Sequence, residues 1–473
     1  MLTYDLDRRG KLARYDYLYR CIREDILAGR LTAGEKLPSK RSLASHLQTA
    51  VITVQNAYAQ LEAEGYLYTR EKRGYYVADV ERHPAAPGRA LARSAPQPQR
   101  SWLLDLSSGG SGTEDFPFSV WAKLMRRVLS EEGEALLRAT PPNGADALRR
   151  AIAQHLYRFR SISAAPEQIV VGAGTEYLYN LIVQLLGREA VYGVEDPGYS
   201  KAARIYALGG ARTAPVLVDE GGVSLRSLEM SGAQILHTSP NHQFPTGAVT
   251  PIGRRQSLLR WAEAREGRYI IEDDYDSEFR FTLRPIPTLQ SIDRAGRVIY
   301  VNTFSRTLAP SLRISYMVLP KSLTERYRAQ LGFYSSTVPA MEQYTLARFL
   351  DEEYFEAHIN RMRKSYRAQR DAVIDTILQS PLGEHCRVSG EDAGLHFLLT
   401  IDTKCTDHVL RADAEGRGVR LSFLSDFALR PGSAPQHTLV IHYPGIDLGR
   451  LRSALSILEA LLYFRDWKYK GRK

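Results

Sequence analysis

The sequence predicts an α/β fold preceded by a small helical unit. From Trp102 onward, short apolar runs typical of buried parallel strands alternate with longer helical patterns. Residues 1–80 instead show three helical repeats followed by two short β-prone runs. Residues 81–101 are rich in Pro, Ala, Arg and Gln and lack apolar periodicity, which predicts an exposed linker. We therefore expect a helical domain at 1–80, a linker at 81–101 and an α/β domain at 102–473.

Composition and charge exclude several classes of protein. The chain has 473 residues, enough for two domains, and no apolar run long enough to span a bilayer. Its three cysteines are scattered, which predicts neither a disulfide framework nor a metal site and fits a reducing cytoplasm. The formal net charge of +10 is compatible with a nucleic-acid partner, although the placement of the charges decides more than their sum.

The N-terminal elements follow the order of a winged helix-turn-helix domain. Leu18, Ile22 and Ile26 recur every four residues and predict the first helix. Ser39 is suited to cap the second helix, and Gly65 to end the third. Two β-prone runs then flank residues 70–74, which predicts a basic hairpin, or wing.

This order of elements predicts binding to double-stranded DNA. One helix of such a domain enters the major groove, while the wing meets the backbone or the minor groove. Any single polar residue here is more often a solvated surface residue, but the ordered set favours DNA binding. The candidate contacts are Lys40 and Arg41 at the start of the second helix, Thr49, Thr53, Gln55 and Asn56 on the polar side of the third helix, and Arg70, Lys72 and Arg73 at the hairpin tip.

Three segments of this domain resemble the GntR-type DNA-binding domain: LPSKRSLA at 37–44, VQNAY at 54–58 and LEAEGYL at 61–67. In this resemblance the family's helix-two arginine corresponds to Arg41 and its wing to residues 70–74. The family commonly has Ser-Arg just before its recognition helix, where this chain has Ala50 and Val51. The resemblance thus implies an operator-binding domain that has lost a phosphate or base contact.

Five apolar runs of the α/β domain end in residues whose side chains can bind a ligand or take part in a reaction. Ligands of open α/β sheets bind beyond the carboxyl ends of the strands, so these ends predict one composite site. The run at 169–171 leads into GAGT (172–175), 191–194 into EDPGY (195–199), 235–238 into SPNHQFPTG (239–247), 269–271 into EDDYD (272–276), and 298–301 into NTFSR (302–306).

A phosphate is a plausible ligand for one part of this site. The glycine-rich turn at 172–175 precedes a helical pattern, and a helix N-terminus with free amides suits an anion. Such a turn is as often just tight packing. Arg313 could add a bidentate contact, and Thr303 and Ser305 offer hydroxyls.

An aromatic ring is a plausible ligand for another part. Asp273 closes an apolar strand and needs a cationic partner, which a protonated pyridine nitrogen would supply. An ion-pair or capping cluster with its acidic neighbours is the alternative. Tyr275 could donate to a phenolate oxygen, and Tyr199 could stack on a flat ring, although a lone aromatic residue is more often part of a core.

Together these loops resemble the fold-type I aminotransferase domain, and with the GntR-type head the chain resembles the MocR/GabR family of bacterial regulators. The motifs occur in the family's order and spacing over almost the whole chain. The resemblance implies a pyridoxal phosphate (PLP) site, an amino compound as effector and a head-to-tail homodimer. It assigns the phosphate to Gly174, Thr175, Ser305 and Arg313, the ring nitrogen to Asp273, the ring hydroxyl to Tyr275 and ring stacking to Tyr199.

Two departures from the family limit this assignment. The family's PLP-binding lysine is replaced by Arg306, and a guanidinium cannot act as the amine nucleophile. The effector-binding arginine of the GABA-responsive members corresponds to Gly445. That of another member corresponds to Lys201, which keeps the positive charge but lacks the planar guanidinium that binds a carboxylate through two N–H groups. Three interpretations of Arg306 remain open: non-covalent cofactor binding, loss of the cofactor, or a deliberate substitution of a natural lysine.

We expect a transcriptional regulator that senses PLP, or an amino compound linked to it, without catalysis. An aminotransferase with an appended DNA-binding head is the first alternative, which the missing amine disfavours because that amine would also serve as general base. A cofactor-free DNA-binding regulator is the second.

Overall fold

The computed structural model describes residues 2–10, 12–71, 73–80, 101–107, 115–281, 286–392 and 394–463. The chain divides into two compact units, Met1–Arg100 and Ser101–Lys473. This division falls within the expected linker, at its C-terminal end. Residues 81–100 of that linker and the candidate DNA contact Lys72 lie outside the described residues.

The first unit contains the three helices and the hairpin that the sequence predicts. Its elements are α1 (Arg14–Leu27), α2 (Lys40–His46), α3 (Val51–Ala63), β1 (Leu67–Arg70) and β2 (Gly74–Val77). The two strands are antiparallel, with Arg70 paired to Gly74. Leu18, Ile22 and Ile26 are buried in one core with residues of α2 and α3, so the predicted apolar face of α1 is confirmed.

The junction between α2 and α3 agrees with the sequence at one residue and departs from it at another. The hydroxyl of Ser39 accepts a hydrogen bond from the backbone N–H of Ser42 at 3.1 Å, so Ser39 caps α2 as predicted. Thr49, however, does not lie on α3. That helix begins at Val51, and the N–H of Thr49 bonds the carbonyl of Ala44 in the turn that closes α2.

The second unit is an α/β domain followed by a smaller C-terminal part. Its helices are α4 (Phe118–Glu132), α5 (Asp146–Arg160), α6 (Thr175–Leu186), α7 (Ser200–Leu208), α8 (Leu225–Met230), α9 (Ile252–Glu263), α10 (Leu289–Ile292), α11 (Lys321–Leu331), α12 (Ala340–Asp351), α13 (Tyr354–Leu378), α14 (Asp407–Gly416) and α15 (Leu448–Leu462). Among the described residues, no helix combines the length and apolarity needed to cross a membrane.

The strands of this unit form one large sheet and smaller pairings. They are β3 (Leu104–Asp105), β4 (Ile169–Gly172), β5 (Val191–Asp196), β6 (Arg212–Asp219), β7 (Gly222–Val223), β8 (Ile235–Thr238), β9 (Tyr269–Asp273), β10 (Val298–Thr303), β11 (Ser315–Val318), β12 (Cys386–Ser389), β13 (His396–Ile401), β14 (Val419–Arg420) and β15 (Thr438–His442). The large sheet has the order β4-β11-β10-β9-β8-β5-β6-β7, and β12, β13 and β15 form a three-stranded antiparallel sheet.

All five predicted strands lie in the large sheet and run parallel to one another. Strands β10, β9, β8 and β5 pair in parallel, and β4 has the same direction because β11 is antiparallel to both β4 and β10. Helices cover both faces: Ile169 and Val171 pack in a core with α5 and α12, whereas Val170 packs with α6. The carboxyl ends of the five strands therefore meet at one edge of the sheet.

Candidate functional site

A pocket of about 310 Å³ lies at this edge, and all ten residues predicted for the cofactor and the effector line it. We call it the sheet-edge pocket. The predicted lining residues are Gly174, Thr175, Tyr199, Lys201, Asp273, Tyr275, Thr303, Ser305, Arg306 and Arg313. The other five lining residues have no role predicted from the sequence: Glu176, Tyr179, Ser239, Phe244 and Pro310.

One part of the pocket is the N-terminus of α6. Helix α6 starts at Thr175, and the first amides of a helix have no partners within the helix. The preceding Gly174, with φ 94°, has no side chain that could cap them. A Cβ on Gly174 would lie 2.5 Å from Nη2 of Arg313, so the guanidinium lies directly against this glycine. The turn therefore requires glycine for its backbone angle and for the approach of Arg313.

The hydroxyls of Ser305 and Thr303 differ in availability. Oγ of Ser305 is buried and has no hydrogen-bond partner within the described parts of the chain. Oγ1 of Thr303 accepts from the N–H of Ser305 at 3.1 Å and from the hydroxyl of Ser315 at 2.7 Å. Ser305 can thus still bind a ligand, whereas Thr303 fixes the turn that carries Ser305.

Glu176 is a pocket residue that the sequence analysis did not identify. Its carboxylate lies between two cations, 3.5 Å from Nζ of Lys201 and 3.4 Å from Nη2 of Arg313. The side chains of the three residues are 41–62 % exposed, so solvent screens both ion pairs and each is weak. The charges of Lys201 and Arg313 are nevertheless partly neutralised within the pocket.

Asp273, at the end of β9, has one oxygen engaged and one oxygen free. Oδ2 accepts from the hydroxyl of Tyr179 at 2.5 Å and lies 3.4 Å from Nε2 of His237, whose Nδ1 is 2.6 Å from the hydroxyl of Tyr206. Burial raises the pKa of both tyrosines well above 10, so both phenols keep their protons, and Tyr179 donates to the carboxylate. In the His237 tautomer with its proton on Nε2, that N–H faces Asp273 and Nδ1 accepts from the Tyr206 hydroxyl.

The other carboxylate oxygen of Asp273, Oδ1, is buried without a partner among the described residues. An unpaired buried carboxylate oxygen is costly, so this atom calls for a donor from a ligand in the pocket. A protonated ring nitrogen is a donor of the right charge. This unpaired oxygen matches the protonated ring nitrogen of PLP. The free hydroxyl of Ser305 and the glycine turn before α6 match its phosphate.

Two tyrosines form further walls of the pocket. Burial raises the pKa of Tyr199 to about 12 and that of Tyr275 well above 10, so both are neutral donors at physiological pH. The hydroxyl of Tyr275 lies 3.2 Å from Nδ1 of His242. The loop that carries Tyr199 is anchored by Asp196, which accepts from the N–H of Leu429 at 2.8 Å.

A buried cluster of potential metal ligands adjoins Tyr275. Donor atoms of His242, Asp276 and His396 lie within 4.8 Å of one another. Nδ1 of His242 is hydrogen-bonded to Asp276 at 2.9 Å, and Nε2 of His396 to the carbonyl of Pro245 at 3.0 Å. These hydrogen bonds engage Nδ1 of His242 and Nε2 of His396, whereas Nε2 of His242 is buried without a partner among the described residues.

Arg306 projects into the pocket as an exposed side chain. It makes neither a hydrogen bond nor an ion pair with any residue that the structure describes. Burial and the Arg306 charge lower the pKa of His442 to about 4, and burial, with a smaller contribution from the same charge, lowers the pKa of His396. The positive charge of Arg306 thus acts on His396 and His442, which are paired across β13 and β15.

The first unit presents most of the predicted DNA contacts to solvent. Arg41, Gln55, Asn56, Arg70 and Arg73 are exposed. Three others, Lys40, Thr49 and Thr53, are half-buried. In the wing, the Arg70 guanidinium stacks 4.8 Å from the centre of the Tyr76 ring, which holds this cation at the hairpin tip.

Comparison with known proteins agrees with both units. Residues 14–77 match the family model for bacterial regulatory proteins of the gntR family, and residues 103–410 match aminotransferase class I and II. The HTH-type transcriptional regulator YdeL of Bacillus subtilis is 36 % identical over 97 % of this chain and 99 % of its own length. The probable rhizopine catabolism regulatory protein MocR of Rhizobium meliloti is 34 % identical over 96 % and 95 %.

Solved structures support the fold of the second unit. An archaeal alanine:glyoxylate aminotransferase superposes with a TM-score of 0.69 at 21 % identity, over 78 % of this chain and 92 % of that one. This likeness establishes a fold-type I aminotransferase architecture. With a GntR-type DNA-binding domain joined to an aminotransferase class I and II domain, and with regulators as full-length relatives, the chain belongs to the MocR-type family of HTH transcriptional regulators.

Proposed function

We propose that this regulator binds PLP, or an amino compound linked to PLP, non-covalently in the sheet-edge pocket, and that the bound ligand changes its affinity for operator DNA. The proposal depends on Oδ1 of Asp273, which is buried without a partner among the residues that the structure describes, in a pocket that also contains an uncapped helix N-terminus. A ligand with a protonated ring nitrogen and a phosphate satisfies both.

The residues that would contact the cofactor then have distinct tasks. The α6 amides, Arg313 and the free hydroxyl of Ser305 hold the phosphate. Asp273, oriented by Tyr179 and His237, binds the ring nitrogen and keeps it protonated, which is the charge state that makes the ring an electron sink. Tyr275 lies within the pocket as a neutral donor for the ring hydroxyl, and Tyr199 provides an aromatic surface.

Turnover is not part of this proposal. Aminotransferase chemistry needs an amine that bonds the cofactor and then moves a proton, and the guanidinium of Arg306 stays protonated and does neither. Among the residues that line the pocket, the only primary amine belongs to Lys201, which is paired with Glu176. We therefore expect no transamination of amino acids by the purified protein.

The DNA-binding unit supplies the output. We propose that Arg41, the exposed residues of α3 and the cationic wing contact a duplex operator. The family resemblance supports a head-to-tail homodimer working in the cytoplasm, and two heads per dimer would read two half-sites.

A gel-shift assay tests this proposal with the full-length protein and the DNA upstream of its own gene. We expect a specific complex whose affinity changes when PLP, alone or with an amino acid, is added. A complex that forms identically under all conditions would support a cofactor-free regulator instead. Failure to bind the fragment at any salt concentration would contradict the operator assignment.

A further inference from the structure

The charges of the sheet-edge pocket are unevenly paired. Its cations are Lys201, Arg306 and Arg313, and its carboxylates are Glu176 and Asp273. Glu176 lies between Lys201 and Arg313, at 3.5 and 3.4 Å, and partly neutralises both. Arg306 has no carboxylate partner within the described residues, so its charge is the one in this pocket that is not offset.

The surroundings of Arg306 contain neutral rings. His396 and His442 face each other across β13 and β15, and the ring of Phe244 lies 5.2 Å and 6.1 Å from them. Burial lowers the pKa of both histidines, to about 4 for His442, so they are uncharged at neutral pH. A guanidinium beside neutral rings attracts an anion, and its planar fork matches a carboxylate.

The two arginines of the pocket therefore have different environments. Arg313 lies against Gly174 at the N-terminus of α6, where helix amides add to its attraction for a phosphate. Arg306 is exposed, has neither a hydrogen bond nor an ion pair within the described residues, and adds its charge to the burial that lowers the pKa of His442 at the end of β15.

We propose that Arg306 is the carboxylate-recognition residue of this pocket, and that its preferred ligand is a phosphopyridoxyl amino acid rather than the free cofactor. The phosphate binds at α6 and the amino-acid carboxylate binds at Arg306. This inference rests on the proposed function, because it presupposes a phosphopyridoxyl ligand. It differs from sensing by exchange of a covalent bond, since the ligand is recognised as a preassembled molecule.

Two probes that differ by one carboxylate test the proposal. N-(5′-phosphopyridoxyl)-L-alanine and N-(5′-phosphopyridoxyl)-ethylamine are stable secondary amines, and neither can bond a lysine. We expect the full-length protein to bind the alanine compound at least about tenfold more tightly, as a charge-assisted, two-point contact implies. In Arg306→Gln this preference should disappear, with both probes binding as the ethylamine compound binds to the unaltered protein.

Arg313→Gln is the matched control, because it removes a guanidinium from the phosphate end. It should weaken both probes by a similar factor and leave the preference intact. Arg306 has an exposed, unpaired side chain, so its substitution should not affect folding, which thermal melting checks. Equal affinity of the unaltered protein for the two probes would overturn the inference and leave the proposed function standing. Failure to bind either probe would remove the proposed function as well.

Discussion

Replacing Asp273 by Asn is the sharpest perturbation of the proposed cofactor site. The Asn oxygen can still accept from Tyr179 and His237, so the local hydrogen bonds at Oδ2 are retained. What is lost is the negative charge offered to a ring nitrogen at the unpartnered Oδ1. A hydrogen bond to a charged group contributes about 1.5–3 kcal/mol, and 1.4 kcal/mol is a factor of ten. The affinity for pyridoxamine 5′-phosphate should therefore fall by about ten- to a hundredfold.

The assay is a fluorescence titration of the full-length protein with pyridoxamine 5′-phosphate. Asp219→Asn is a suitable control, because Asp219 is a half-exposed carboxylate that pairs with Arg254 and does not line the pocket. It should bind like the unaltered protein. If Asp273→Asn also bound within twofold of the unaltered protein while remaining folded, the orphaned oxygen would not be a ligand-binding atom and the reasoning would be refuted.

Three further variants test the pocket and the DNA-binding unit. Arg306→Lys restores an amine, so PLP followed by borohydride should label residue 306; an unlabelled peptide would mean that the pocket does not bring the aldehyde there. Glu176→Gln removes the carboxylate that pairs with Arg313 and Lys201. Because exposed ion pairs contribute at most about 1 kcal/mol, the affinity for pyridoxamine 5′-phosphate should rise by up to about fivefold. A lower affinity would contradict the pairing of these charges. The third variant neutralises the wing residues Arg70, Lys72 and Arg73 together. At about 0.9 per phosphate contact, the slope of log affinity against log salt concentration should fall by about 2.7. Unchanged affinity for DNA would exclude the wing assignment.

The sequence predicts the α/β architecture well because its signals are local. Each of the five strands is a continuous apolar run, and each ends in the polar residues that line the edge of the sheet. Strand β11 was not predicted, because its Ser315 and Tyr316 interrupt the apolar run and it follows β10 within the segment considered for cofactor binding. Its antiparallel insertion between β4 and β10 is a non-local pairing that no local pattern encodes.

The pocket residues that the sequence did not reveal depend on three-dimensional proximity. Glu176 reads as an ordinary acidic residue at the start of a helix, where the helix dipole favours it. Tyr179 and His237 come from α6 and β8 and meet Asp273 only in the folded sheet. The polarity of Thr49 predicts a place on the recognition helix, but α3 begins two residues later, at Val51.

We propose that the pocket binds PLP non-covalently, with Arg306 in place of the lysine that would form a covalent bond to it. The most direct measurement is a PLP titration of the full-length protein by absorbance, followed by borohydride reduction and intact mass analysis. We predict saturable binding with a protein mass that is unchanged after reduction. A mass increase of one phosphopyridoxyl group on a pocket residue such as Lys201, or no binding at any PLP concentration, would contradict the claim.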